Sequence, residues 1–264
     1  MRVNTFKNQV EIKSDYIKKS YGDTSLFKNE LFAIELLHGS EYVPRLYNKN
    51  VKKKEIVFER IVGRTVKEND ELQLLSNEYI LKDLAEFLMR LNEIKFQKVG
   101  YLSELENRSL VCFLRRKINR RLHSIHTLDG EQKEKGMLYF RKMIGEIDFS
   151  ICEYNLVHYD LNPSNLMIRN GRLCVIDFDK ASAGETEMDI AKFYWRTAKF
   201  NDDILEQLIK YLQFDVCREK IELYLFMHCI GAISFYDVLC GEKKKEYQQF
   251  ADEAKKYIIS KINV

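Results

Sequence analysis

Asn170-Gly171 lies between two apolar, strand-forming runs, Leu166 to Ile168 and Leu173 to Ile176. Asn-Gly tolerates positive φ at both positions, as a two-residue type I′ turn requires, so this segment predicts a tight antiparallel hairpin. With those two residues as the turn, Asn165 faces Ile176 and stands beside Asp177, while Asp160 sits one short loop upstream at the same end of the ribbon. An Asp, an Asn five residues later and an Asp at the end of the returning strand suit phosphoryl transfer from a nucleotide. One carboxylate orients the attacking hydroxyl, while an amide oxygen and a second carboxylate hold magnesium.

Composition narrows the class further. The 264 residues suffice for one large or two small domains, and 45% hydrophobic with 31% charged residues is ordinary for a globular protein. A net charge of +3, from 43 basic and 40 acidic residues, is too small to make nucleic acid the main partner. No apolar run approaches the length of a membrane span and the N-terminus is too polar for a signal peptide, so a cytoplasmic protein is expected. The six cysteines, at 112, 152, 174, 217, 229 and 240, form no Cys-x-x-Cys pair. Neither a zinc site nor a disulfide framework is indicated, and buried reduced thiols are expected.

With only two prolines, Pro44 and Pro163, the organisation has to be read from periodicity. Residues 2 to 20 alternate, with breaks at Lys7-Asn8 and Ser14-Asp15, and predict two or three short antiparallel strands. Leu26, Phe27, Glu30, Leu31, Ile34 and Leu37 recur at helical spacing over 25 to 38. Val43 to Tyr47 and Glu55 to Ile61 read as two further strands. Beyond Gly63 the chain is mainly helical, with helices expected at 70–94, 108–126, 131–148, 187–199, 201–213, 217–239 and 243–261. The expected plan is α+β and bilobal. A small antiparallel-sheet lobe over residues 1–60 covers nucleotide, and a mainly helical lobe over 61–264 carries the catalytic loop and substrate site, with the active site in the cleft.

His158-x-Asp160-x-x-x-x-Asn165, followed by Asp177-Phe178-Asp179, resembles the catalytic loop and metal-binding segment of the protein-kinase-like fold. The form is that of aminoglycoside phosphotransferases, choline and ethanolamine kinases and spore-coat-type relatives. The resemblance implies transfer of the γ-phosphoryl group of ATP, or of GTP, to a small-molecule hydroxyl with Mg2+. Asp160 would act on the hydroxyl, Asn165 and Asp177 would hold the metal, and His158 would brace the loop. Tyr159 stands where protein kinases usually carry an arginine that receives a regulatory phosphate. From Asp177 to the run Asp189-Ile190-Ala191 is only a dozen residues, too short for a peptide-docking platform. A small-molecule kinase is therefore favoured over a protein kinase, and a nucleotide-binding pseudokinase or scaffold stays open as a second class.

The same resemblance assigns the remaining nucleotide contacts. Alternation in Asp15-Tyr16-Ile17-Lys18-Lys19 puts Ile17 on the core face and Lys18 on the other, so Lys18 resembles the phosphate-contacting lysine and Glu30 its ion-pair partner. Phe58 to Gly63 resembles the hinge, where backbone groups near Glu59 and Ile61 would bond a purine edge. The expected phosphate-covering turn, Thr5 to Gln9, contains no glycine. For the acceptor, amino alcohols such as choline or ethanolamine and sugars including aminoglycosides are comparable. Phe193-Tyr194-Trp195 offers a cation-π wall, but packing of one helix against the lobe is the favoured reading of these aromatics. Glu185, Glu187, Asp202 and Asp203 could attract an aminoglycoside, but they also suit helix starts. The basic run Arg115, Arg116, Lys117, Arg120 and Arg121 could bind a polyanion or be a solvated helix face.

Overall fold

The computed structural model describes residues 2–4, 8–68, 77–150 and 153–263, and the elements below are those of these residues. The chain divides into two compact units, each made of two stretches: Met1–Asn107 with Glu153–Val216, and Arg108–Cys152 with Cys217–Val264.

The first unit opens with an antiparallel sheet of β1 (Arg2–Asn4), β2 (Asn8–Ile12), β3 (Tyr16–Tyr21), β4 (Leu46–Asn50) and β5 (Glu55–Glu59), in the order β1-β2-β3-β5-β4. Helix α1 (Thr24–Leu36) connects β3 to β4. Asp23 caps it, the carboxylate accepting the Ser25 N–H at 2.7 Å. Its inward stripe is Phe27, Glu30, Leu31 and Ile34, as the spacing predicts. β4 begins three residues later than the expected Val43. Pro44 has no N–H to give a ladder, and the carbonyl of Tyr42 is instead taken by the Val175 N–H at 2.7 Å. The glycine-free turn falls on residues 5–7, outside the described residues.

The hairpin forms in the register that Asn170-Gly171 predicts. β10 (Leu166–Arg169) and β11 (Arg172–Val175) pair from Leu166 opposite Val175 to Arg169 opposite Arg172, with φ of 52° and 76° at the two turn residues. One step further, the Ile176 N–H donates to the Asn165 carbonyl at 3.0 Å. A two-residue strand, β6 (Arg64–Thr65), lines the other edge of β10. Another sheet joins β7 (Lys95–Phe96), β9 (Tyr154–Val157), β12 (Ser182–Gly184) and β8 (Gly100–Tyr101) in that order. The sequence reading misses β6 to β9 and β12, because strands of two to four residues are too short to display alternation.

Helices occupy most of the predicted positions. The first unit has α2 (Glu78–Asn92), α5 (Glu187–Arg196) and α6 (Asp202–Tyr211). The second has α3 (Leu110–Ser124), α4 (Gly130–Glu146), α7 (Arg218–Asp237) and α8 (Gly241–Ile262). The expected start of α2, at 70–76, lies outside the described residues. In the second unit Glu222 on α7 accepts the Tyr139 hydroxyl and the Lys261 ammonium, each at 2.6 Å. The basic run on α3 is not one solvated face. Lys117 is buried over the Phe113 ring, and Arg121 reaches the Met227 carbonyl at 3.1 Å, leaving Arg115, Arg116 and Arg120 exposed. The described cysteines are free as expected, but only Cys174 and Cys229 are fully buried, while Cys112 and Cys240 are exposed. No helix among the described residues is long and apolar enough to cross a membrane.

Gly63 links the end of the first sheet to the hairpin. A Cβ there would come 2.3 Å from the Ile168 carbonyl oxygen, beside the pairing of Ile168 with Arg64. Backbone cannot yield as a flexible side chain can, so Gly63→Ala is expected to cost about 1–3 kcal/mol of stability, an overpacking effect. A urea titration checks this, and an unchanged midpoint would show that β6 moves freely.

Candidate active site

All of the charged groups expected to carry chemistry lie in the first unit. Asp160 sits on the turn between β9 and β10, and Asp177 lies two residues beyond the end of β11. His158 braces this loop: its buried ring bonds the Ile176 carbonyl through Nε2 at 2.9 Å, while Nδ1 accepts the Asp160 N–H at 3.2 Å. That pairing fixes the Nε2–H tautomer of a neutral imidazole, and burial lowers the ring's pKa in the same direction. Phe178 packs its buried ring against His158 at 4.5 Å. The Asp160 carbonyl is gripped by the Asn165 amide at 2.9 Å and the Asn162 N–H at 2.8 Å.

Two non-glycine residues in this loop are strained. Tyr159 and Asp177 hold φ of 68° and 70°, a left-handed conformation costing roughly 1–2 kcal/mol each. The fully buried Asp189 offsets the first, its carboxylate accepting the N–H groups of His158 and Tyr159 at 2.7 Å each. Burial pushes the Asp189 carboxyl up to about 7 against those two bonds. Strain held in place by surrounding bonds is usual where side chains must be aimed.

The lysine expectation needs correcting. Lys18 was expected to pair with Glu30, but its amine pairs with Glu55 at 3.0 Å on the outer side of the sheet. Lys19 instead reaches Glu30 at 2.5 Å and also bonds Asp177. Ile17, Lys19 and Tyr21 share the face toward α1, and the Tyr21 hydroxyl donates to the same Glu30 oxygen at 2.6 Å. The expectation failed because a core-facing position was taken to exclude a lysine, whereas a buried glutamate opposite makes it the favoured place for one. Burial alone would lower the Lys19 pKa, yet Glu30, then Asp177 and Asp179, raise it, so the amine stays charged.

Asn29, Lys180 and Lys192, which the sequence does not single out, complete the site together with Asn8 and Asp179. Asn29 donates to the Asp179 carbonyl at 2.9 Å and accepts the Ser103 N–H at 2.8 Å. Asn8 reaches the Asp179 carboxylate at 3.4 Å. Burial, then the charge of Asp177, pushes the Asp179 carboxyl up to about 7. Lys180 and Lys192 hold Asp160 from both sides, at 2.6 and 3.3 Å. The signal for Asn29 was available in principle, since it neighbours Glu30 on the inward face of α1. Nothing in the spacing points to Lys192.

At the expected hinge the Glu59 side chain is committed, accepting Arg169 at 2.9 Å and the Arg45 N–H at 3.3 Å. The Arg60 N–H turns back to the Asp15 carbonyl at 3.3 Å, just beyond the end of β5. Ile61 itself is buried. The aromatic run folds inward: Phe193 and Trp195 are buried, and Tyr194 donates to Asp202 at 2.6 Å.

A small antiparallel sheet whose lysine pairs with a helix glutamate, combined with a braced His-x-Asp loop and an Asp-Phe-Asp hairpin end, defines a protein-kinase-like arrangement. The chain belongs to the phosphotransferase enzyme family, which matches residues 28–224. No curated protein sequence matches it. Among solved structures it is similar to choline kinase LicA from Streptococcus pneumoniae, at 18% identity and TM-score 0.68, covering 98% of this chain and 92% of that one. It is also similar to a choline/ethanolamine kinase family protein from Mesorhizobium loti, at 14% identity and TM-score 0.70, covering 100% and 88%. A third is a thermostable mutant of aminoglycoside phosphotransferase APH(4)-Ia in complex with ADP and hygromycin B, at 14% and 0.71, covering 100% and 92%. At these identities the likeness establishes the fold.

The two neighbouring lysines give a sharp test of the correction. Lys19→Met leaves Glu30 buried without its cation and is expected to cost about 3–5 kcal/mol, the range for breaking a buried pair. Lys18→Met breaks a half-exposed pair and is expected to change stability by about 1 kcal/mol or less. Paired urea titrations decide, and equal effects would return Lys18 to the site.

Proposed function

We propose that the protein transfers the γ-phosphoryl group of ATP, or of GTP, to a hydroxyl of a small molecule, an amino alcohol or a sugar. The observation that carries this reading is that Asp160, Asn165, Asp177 and the Lys19–Glu30 pair are held by one unit of the chain, fixed by the hairpin register. In the reaction, the acceptor oxygen bonds to the γ-phosphorus. The bond to the β–γ bridging oxygen breaks, with its electron pair staying on the nucleoside diphosphate. The hydroxyl proton is taken by Asp160 and passed to water.

The donor set fits magnesium. Among the described residues no three His, Cys, Asp or Glu side chains form a metal-holding group, so an all-protein cage is not what this site offers. Magnesium bound to nucleotide needs only one or two carboxylates besides phosphate and water oxygens. Asn165 gives its amide hydrogen to Asp160, which leaves its oxygen for a ligand, and Asp177 and Asp179 crowd like charges that a divalent cation would relieve. Bound there, the metal would screen the phosphate charges. Lys19, rather than Lys18, would contact phosphate, Glu30 would hold Lys19, and the backbone at Glu59 and Ile61 would receive the purine edge. Residues 1–60 would act as the nucleotide-covering lobe and the remainder as the acceptor lobe. A nucleotide-rich cytoplasm is the natural location for such an enzyme.

The segment after Asp177 favours a small acceptor over a polypeptide. β12 pairs with both β8 and β9, and α5 starts at Glu187, so the chain re-enters the sheet almost at once. Nucleotide consumption measured across amino alcohols, sugars, aminoglycosides and nucleosides tests the proposal, and transfer confined to protein acceptors would overturn it.

Asp160→Asn is expected to lower kcat on the order of a hundredfold or more, the scale of a positioned base, while nucleotide binding persists. Wild-type kcat in the folded variant would remove Asp160 from the chemistry. Burial opposes ionisation of Asp160, but Lys180 and Lys192 hold its carboxyl well below the usual range. A depressed folded-state pKa keeps its linked stabilisation above the ordinary aspartate value of about 3.9, losing it only as pH falls further. The kcat profile should therefore show no acid limb from Asp160 between about pH 5 and 8. An acid limb that disappears in Asp160→Asn would contradict this.

A further inference from the structure

Asp160 is outnumbered by cations. Lys180 bonds one carboxylate oxygen at 2.6 Å and Lys192 lies 3.3 Å from the other. The two lysines differ in accessibility: the Lys192 side chain is 11% exposed and that of Lys180 49%. The Lys180 side chain is thus the more exposed of the two beside the carboxylate. The nearby acids Asp177 and Asp179 act on both Lys19 and Lys180, and Asp177 is already bonded to Lys19.

Several side chains that the sequence offers to a cationic acceptor are already engaged. The Trp195 ring is buried, and its flanks are taken by Lys192 at 5.2 Å and Arg196 at 5.4 Å, so no quaternary ammonium can stack there. Glu185 is buried, and Asp202 accepts the Tyr194 hydroxyl. Paired with both lysines, Asp160 presents no uncompensated carboxylate to a cation, and the Lys180 ammonium is the group beside it that an anion can meet.

We propose that the acceptor is an anion: a sugar or polyol already bearing a phosphate or carboxylate group, which docks on Lys180 and brings a free hydroxyl to Asp160. The proposal rests on the phosphotransfer reading and narrows it, because it sets this site apart from one built for choline or an aminoglycoside. Lys180 is then a specificity-determining residue, and Lys192, mostly buried, keeps Asp160 in place beneath it.

The test is calorimetry on the full chain loaded with magnesium and a non-hydrolysable ATP analogue. The probes are glucose, glucose 6-phosphate, glucuronate, glucosamine and choline. Glucose 6-phosphate or glucuronate should bind at least about tenfold more tightly than glucose, a margin that shrinks as sodium chloride screens the site. The comparison of the two separates phosphate from carboxylate. Glucosamine and choline should bind no better than glucose. Lys180→Gln should erase the anion preference and Lys180→Glu should reverse it, with folding confirmed by circular dichroism. Preference for glucosamine or choline, equal binding of charged and uncharged sugars, or an anion preference that survives Lys180→Glu would each overturn the proposal. If the loading step shows no nucleotide binding, the phosphotransfer reading fails, and the same ranking on the nucleotide-free protein still decides the charge preference.

Discussion

A lysine amine inside the fold is the constraint on which the rest of the structure turns. Removing an ammonium from water costs several kcal/mol unless opposite charges replace the lost hydration. At Lys19 that replacement comes from Glu30 on α1 and Asp177 at the end of β11, parts of the chain far apart in sequence. The pair on α1 can form only if β3 turns its odd-numbered side chains toward the helix, and the bond to Asp177 only if the hairpin closes in the register set by Asn170-Gly171. One buried charge thereby couples sheet, helix and hairpin. The charges proposed to handle phosphate and metal are set before any nucleotide arrives, so little conformational freedom remains to be lost on binding.

The loop that carries Asp160 shows the same logic applied to strain. Left-handed backbone at Tyr159 and Asp177 would relax in an isolated peptide, but here each is enclosed by bonds that demand it. Asp189 takes two consecutive N–H groups, and the His158 ring ties the start of the loop to the Ile176 carbonyl, one residue before Asp177. A histidine in this position acts through its two ring nitrogens, one donating and one accepting, and not through its charge. Burial of the ring favours that neutral form.

Much of this was legible in the sequence because the signals are local. An Asn-Gly turn specifies hairpin register, so the neighbours of Asn165 follow by counting, and the eight helices α1 to α8 announce themselves by period. The failures share a cause. Lys18 was chosen over Lys19 because alternation assigns a face but does not say whether the face is apolar, and only the fold reveals that Glu30 lies opposite. For Trp195 the spacing favours packing over a ligand wall, and its burial, with Lys192 and Arg196 over the ring, agrees. The short strands β6 to β9 and β12 are stabilised by neighbours distant in sequence, so no window of residues could have shown them.

The charge around the hairpin end is divided in sign. On the side of Lys19, the acids Glu30, Asp177 and Asp179 outnumber the one amine, and the Asp179 carboxyl is pushed up to about 7 in consequence. On the side of Asp160, Lys180 and Lys192 both pair with the carboxylate, while the buried Asp189 and, around Lys180, Asp177 and Asp179 add acid charge of their own. An ion reaching the loop therefore meets closely spaced charges of both signs. The likeness to proteins named for choline and for aminoglycosides is one of fold, whereas the charge beside Asp160 is set by individual side chains, Lys180 and Lys192 foremost among them.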